Sequence, residues 1–192
     1  MGKNNYFNFL SGLLDQDDLS LYIKKSTDII FECISKNNSI WILGNGGSAS
    51  TAEHFETDLS FVRLNRKNLK VKATALTSNS PLITAIANDI GFENIFSHQL
   101  QRKATNGDLC VVISASGNSL NLTRAMGVAK QIGLKSIGLL GFDGGMLASQ
   151  VDFPIIVETE IGKYGPVEDV HLAICHAISQ DLLARLTTMD FN

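Results

Sequence analysis

The chain has 192 residues, 44% of them hydrophobic and 18% charged, which excludes a disordered polymer and fits one globular domain with a full core. Its net charge is −3 and no Lys/Arg-rich block stands out, which argues against nucleic acid as the main partner. No apolar run approaches the roughly 18 residues of a spanning helix, and Cys33, Cys110 and Cys175 form no C-x-x-C pair, as expected of buried thiols in a reducing compartment.

Met1 to Asp18 has no basic stretch followed by an apolar one, so no signal peptide and a cytoplasmic location are expected. From Leu19 to Lys36, Leu19, Ile23, Ile30 and Ile34 recur at helical steps. This extra N-terminal helix would cover the sheet or pack on another subunit. A buried strand follows over Ser39–Gly44, then a helix from Ser48 to Val62, with Ser48 as its N-cap. Val71–Leu76 alternates as a second strand. Ser80-Pro81 resembles an N-cap with proline at the first helical position, opening two short helices, Pro81–Ala87 and Glu93–Arg102.

Asn106-Gly107-Asp108 predicts a turn, and Leu109–Ser114 a third strand that is nearly all apolar, as when both faces are covered. Ser119–Gln131 predicts a helix closed by Gly133. Lys135–Leu140 is a fourth strand, ending in the turn Gly141-Phe142-Asp143-Gly144-Gly145. Val151–Val157 is a fifth, Thr159–Pro166 a loop, and Val167–Leu186 a long closing helix. Short strands alternating with helices predict an α/β three-layer sandwich on a five-stranded parallel sheet. One domain is expected over 1–192, with a helical segment at 1–37 and the α/β core at 38–192.

Ligands of such sheets sit beyond the carboxyl ends of the strands. Two of those ends are small and polar. At Gly44-Asn45-Gly46-Gly47-Ser48, glycines remove the Cβ atoms that would hold an anion off the backbone N–H groups. At Ser114-Ala115-Ser116-Gly117-Asn118-Ser119, three hydroxyls surround a glycine, more than a helix cap needs and suited to a phosphate. The first turn could also be a steric strand-to-helix turn. Neither loop carries a Walker lysine, and the first lacks a dinucleotide G-x-G-x-x-G, so nucleotide triphosphate chemistry is not expected.

His54 and Asp58 stand four apart on one helix face and could share a divalent metal or form a surface ion pair, with Glu53 and Glu56 adding acidity nearby. On the last helix, Glu168 and His176 are about 80° apart around the axis, and His171 is about 60° to the other side of Glu168. Spacing alone does not choose between the histidines. The apolar neighbours of His176 suggest a partly buried stripe, and a core histidine is the competing role. Two His–carboxylate pairs beside two phosphate-type loops point to a metal-dependent site for a phosphorylated small molecule, and aldose–ketose isomerisation is a natural candidate.

The run Gly44-Asn45-Gly46-Gly47-Ser48, with Ala52 and His54-Phe55, resembles the opening signature of the phosphoheptose isomerases, which are single SIS (sugar isomerase), flavodoxin-like domains. The similarity continues through Ala87-Asn88-Asp89, Phe96-Ser97, Ser114–Ser119, Gly141–Gly145 and Glu168–His176. The resemblance implies an isomerase converting sedoheptulose 7-phosphate to D-glycero-D-manno-heptose 7-phosphate, for the heptoses of lipopolysaccharide and other surface glycans. It implies a homotetramer with sites at subunit interfaces and one Zn2+ per subunit. Asn45, Gly46, Gly47, Ser48, Asp58, Asn88, Asp89, Ser114, Ala115, Ser116, Ser119 and Glu168 would bind substrate. His54, Asp58, Glu168 and His176 would hold the metal, with Asp58 as base and His176 as partner acid/base.

Three positions depart from the family's usual residues: Asp58 for Glu, Glu168 for Gln and Ala115 for Thr. Asp is one methylene shorter, and the carboxylate at Glu168 would compensate for the reach lost at Asp58. Two other functions remain open to such a domain: an isomerase for another sugar phosphate, or a non-catalytic SIS protein associating with the DnaA initiator. The two His and two carboxylates favour an enzyme.

Overall fold

In the buried strands, a period of two decides which side chains meet which helices. The computed structural model describes residues 3–16, 18–62 and 70–188; the outermost positions of the expected 1–192 domain lie outside them. The elements run α1 (Lys3–Leu14), α2 (Leu19–Ser35), β1 (Ser39–Gly44), α3 (Gly47–Val62), β2 (Lys72–Ala75), α4 (Ser80–Ile90) and α5 (Ser97–Lys103). They continue with β3 (Leu109–Ser114), α6 (Leu120–Ile132), β4 (Lys135–Gly141), β5 (Phe153–Val157) and α7 (Tyr164–Thr188). The five strands are all parallel, in the order β2-β1-β3-β4-β5. This is the expected α/β sandwich.

On one face Ile40, Ile42, Val111 and Ile113 pack with Ile30 of α2, Phe55 of α3 and Ile174 of α7. On the other, Trp41, Leu43, Cys110 and Val112 pack with Ile86 of α4, Leu100 of α5 and Leu122 of α6. β1 and β3 therefore bury both their odd and their even residues, which is why the sequence shows unbroken apolar runs there. The buried Asp108 fixes the amino end of the sheet. Its carboxylate accepts from Ser39 N at 2.8 Å, Trp41 Nε1 at 2.9 Å and Thr105 N at 3.0 Å. All three cysteines are free and buried.

Several local expectations are corrected. Ser80 is not the N-cap of α4. Asn79 is, its side chain accepting from Leu82 N at 3.0 Å. The Asx geometry displaces proline by one place, and α4 runs on to Ile90. The second of the two helices expected there splits into a 3-10 turn, Phe92–Asn94, and α5. Ser48 lies inside the first turn of α3 rather than at its cap, since the helix starts at Gly47. The last helix starts earlier than expected, at Tyr164. Within the helical segment expected at 1–37, α1 forms a separate helix whose bounds were not given. It packs on α7 rather than on the sheet, so its sequence carries only a narrow apolar stripe.

Candidate active site

Strand order reverses between β1 and β3, because the chain goes outward to β2 and then returns across β1. That switch point leaves a crevice at the carboxyl ends of the two strands. The loops opening on it are the two small, polar ones, Gly44–Ser48 and Ser114–Ser119.

A reciprocal amide pair ties these loops together. Asn45 Nδ2 donates to Asn121 Oδ1 and Asn121 Nδ2 donates to Asn45 Oδ1, both at 2.9 Å. Asn121 is buried in the first turn of α6, so the β1 loop is locked to the helix that follows the serine loop. Within that second loop, Ser114 Oγ accepts from Gly117 N at 3.0 Å. Ser119 occupies the N-cap position of α6 without making the side-chain cap bond. Its side chain instead stands among the residues that line the cavity between the loops.

The Gly141–Gly145 turn braces the serine loop from behind. A Cβ on Gly117, at φ +64°, would stand 2.0 Å from the Gly144 carbonyl oxygen. Leu147 N donates to Gly117 O and Met146 N to Asn118 Oδ1, each at 3.0 Å. No side chain fits at position 117, and the glycine is fixed by this contact rather than by a ligand.

The loops enclose a cavity of about 210 Å³. Asn45, Ser48, Ser114, Ser116 and Ser119 line it, with Ala115 in its wall. Tyr164 and Glu168, from the start of α7, complete it. No Lys or Arg is among the lining residues; Glu168 supplies their one charge. An anion here would be held by hydroxyls and backbone N–H groups, as a phosphate can be. Gly47 makes room for Glu168: a Cβ on Gly47 would lie 2.4 Å from Glu168 Oε2.

His54 and Asp58 of α3 face His176 of α7. The Nε2 atoms of the two histidines are 3.0 Å apart. Asp58 Oδ1 is 3.6 Å from His54 Nε2, and Asp58 Oδ2 is 3.7 Å from His176 Nε2. Ligand atoms of the three residues all lie within 4.8 Å of one another. Asp58 Oδ2 is buried and has no hydrogen-bond partner. Two imidazole nitrogens and an unsatisfied carboxylate oxygen converging in this way fit a divalent ion of the zinc type. Two deprotonated ring nitrogens facing each other at 3.0 Å would repel, so the pair needs a shared proton or a shared cation.

The structure decides between the two histidines of α7. His171 is fully buried, its Nε2 bonding the Leu140 carbonyl at 3.0 Å, and burial pushes its pKa down to about 4. It is the core histidine. His176 is exposed, not on the partly buried stripe that its neighbours suggested. Glu168 is not part of the His54–Asp58–His176 trio; it lines the serine pocket. Asn88 and Asp89 lie exposed near the end of α4, joined to each other through Asn88 Nδ2 and Asp89 Oδ1 at 2.8 Å, and are not among the pocket residues. Glu56 is not free surface acidity: it accepts from Ala75 N at 2.8 Å and anchors β2.

Asn121 and Tyr164 were missed. The signal for Asn121 was an amide at the start of a helix that needed no further cap. Tyr164 stood in a segment expected to be loop. A separate cavity of about 250 Å³ lies at the amino end of the sheet beside Glu32, Lys36 and Lys135. Its charges satisfy one another, with Glu32 2.6 Å from Lys36 Nζ and 2.9 Å from Lys135 Nζ. It is remote from the switch point, and the chemistry gathers at the other end.

Comparison with known proteins agrees with this geometry. The SIS domain family matches residues 5–141. A phosphoheptose isomerase of Trichlorobacter lovleyi is 38% identical over 174 residues, covering 85% of this chain and 87% of that protein. One from Geotalea daltonii is 39% identical over 170 residues, 88% of this chain and 86% of that protein. The solved phosphoheptose isomerase of Francisella tularensis superposes with a TM-score of 0.82 at 27% identity, over 95% of this chain and 96% of that one.

Proposed function

The chain belongs to the SIS-domain phosphoheptose isomerases, and from that premise we propose that it converts sedoheptulose 7-phosphate to D-glycero-D-manno-heptose 7-phosphate for surface-glycan heptose synthesis. The observation that carries this is the adjacency, along α3 and α7, of a hydroxyl-lined pocket and a His–Asp–His trio.

Ser114, Ser116 and Ser119 would hold the phosphate, and the Asn45–Ser48 loop, Glu168, Asn88 and Asp89 the sugar. His54, Asp58 and His176 would hold one Zn2+ per subunit, and Glu168, eight residues before His176 on the same helix, would complete the set from the pocket side. When bound, the ion would supply Lewis-acid polarisation of the carbonyl and stabilise developing negative charge. Asp58 would take a proton from C1 of the ketose and return it to C2. His176 would move a proton between the oxygens on those carbons, so that an enediol intermediate collapses to the aldose. Positioning would come from the serine anchor, which sets the reacting carbons against Asp58.

The proposal includes a homotetramer with sites at subunit interfaces and a cytoplasmic location. No helix among the described residues is long and apolar enough to cross a membrane. A scaffold role in replication initiation would need neither the trio nor the pocket, which weighs against it. Incubation of the purified protein with sedoheptulose 7-phosphate, followed by detection of heptose 7-phosphate, tests the proposal; no turnover with zinc supplied refutes it.

A further inference from the structure

Among the described residues, only Asn37 and Phe142 have a side chain and a positive φ, both +57°. Asn tolerates the left-handed region; a bulky aromatic residue does not, and such outliers persist where the surroundings hold them. Phe142 sits at the carboxyl end of β4, buried, as the first residue after the strand. Its ring meets that of Tyr164 edge to face, with centroids 5.1 Å apart and planes at 80°. Tyr164 is 51% exposed and lines the pocket beside Glu168 and the serine loop. The unfavourable backbone of Phe142 thus coincides with the placement of one aromatic ring in the pocket wall.

We propose that Tyr164 is a substrate-binding residue, its ring forming the wall along which the carbon chain of a bound sugar phosphate lies, and that Phe142 is the positioning residue that sets this ring. The chemistry is specific. The serine hydroxyls satisfy a phosphate at one side of the pocket. The chain of a phosphosugar must then extend past Tyr164, where its C–H bonds meet the electron-rich face of a π-system. An aromatic wall distinguishes a sugar phosphate from inorganic phosphate, which the serines bind without it. The inference rests on the sugar-phosphate assignment of the pocket.

The experiment uses the zinc-loaded, full-length protein and three variants, Tyr164→Phe, Tyr164→Leu and Phe142→Leu. KM and kcat for sedoheptulose 7-phosphate are measured together with the inhibition constant of inorganic phosphate. Tyr164→Phe keeps the ring and is expected to hold KM within about twofold. Tyr164→Leu is expected to raise KM about tenfold with the phosphate constant unchanged, the scale of one lost aromatic contact. Phe142→Leu should move KM in the same direction, and the double variant Phe142→Leu/Tyr164→Leu should be no worse than Tyr164→Leu alone. Unchanged KM in Tyr164→Leu, or a phosphate constant that rises in step with KM, overturns the inference. Because Tyr164 is half-exposed, its variants fold even if Phe142→Leu does not. Wild-type protein that neither turns over the sugar nor is bound by phosphate overturns the pocket assignment itself, an outcome distinct from the first two.

Discussion

The Nε2 atoms of His54 and His176 lie 3.0 Å apart, although the residues belong to different helices and are 122 positions apart in the chain. At that distance the rings are held either by one Nε2–H donating to the other ring's nitrogen or by a cation that both nitrogens share. Titration of chelator-treated protein with zinc is expected to show one site per chain. Saturating metal at 100 times its dissociation constant should stabilise the fold by about 2.7 kcal/mol. His54→Ala and His176→Ala should each weaken binding by more than the roughly 10- to 100-fold that loss of an outer partner costs. Calorimetry and thermal melts with and without zinc check both.

Asn45 and Asn121 satisfy each other, so Asn121→Ala should leave one amide edge of Asn45 unpaired in a part-buried site. The expected cost is about 1–3 kcal/mol in urea unfolding. Because the pair locks the two pocket loops together, KM should rise as well. A stability loss with KM unchanged would mean that the loops are held by other contacts.

Gly47→Ala separates stability from function. Gly47 is the first residue of α3 and does not have a positive φ, so alanine there brings no backbone strain and melting temperature should hold. The new Cβ would meet the Glu168 carboxylate at 2.4 Å and push it out of place. A fall in kcat/KM without loss of stability is therefore expected.

Asp58 and Glu168 carry the chain's departures from its family's usual residues. If Glu168 compensates for the shorter reach of Asp58, then Asp58→Asn and Glu168→Gln both lose activity. Glu168→Gln should also tighten inorganic phosphate, since it removes the one charge among the pocket-lining residues. Full activity in both variants would contradict compensation.

His171 predicts the acid limb of stability. It is buried neutral, with its pKa pushed down to about 4 against an ordinary value of 6.5. The unfolded chain therefore takes up a proton first as pH falls. Stability from this group is fully present above about pH 6.5 and is lost between there and pH 4, by about 3 kcal/mol in all. Urea midpoints measured across that window should fall in the wild type. They should fall less in His171→Gln, which can still donate to the Leu140 carbonyl.

The parts of the fold legible in the sequence are those where one local pattern decides the outcome. Ile40 to Leu43 and Leu109 to Ile113 read as strands because both faces are buried, and the two polar loops read as a site because glycines and serines gather at strand ends. Tertiary placement was not legible. His171 and His176 share a helix, and only the position of α7 over the Leu140 carbonyl sends one into the core and the other to Asp58. Asn121 pairs with Asn45 across 76 residues, a contact that no window of sequence contains. Helix α1 gave little signal because it covers another helix rather than the sheet.

The most direct measurement restores zinc stepwise to metal-free protein in the presence of sedoheptulose 7-phosphate and follows heptose 7-phosphate by NMR. Turnover should be absent at the start, rise in proportion to zinc, and level off at one ion per chain. No heptose 7-phosphate at any zinc level, or full turnover before metal is added, would contradict a site built from a serine-lined phosphate pocket and the His54–Asp58–His176 trio.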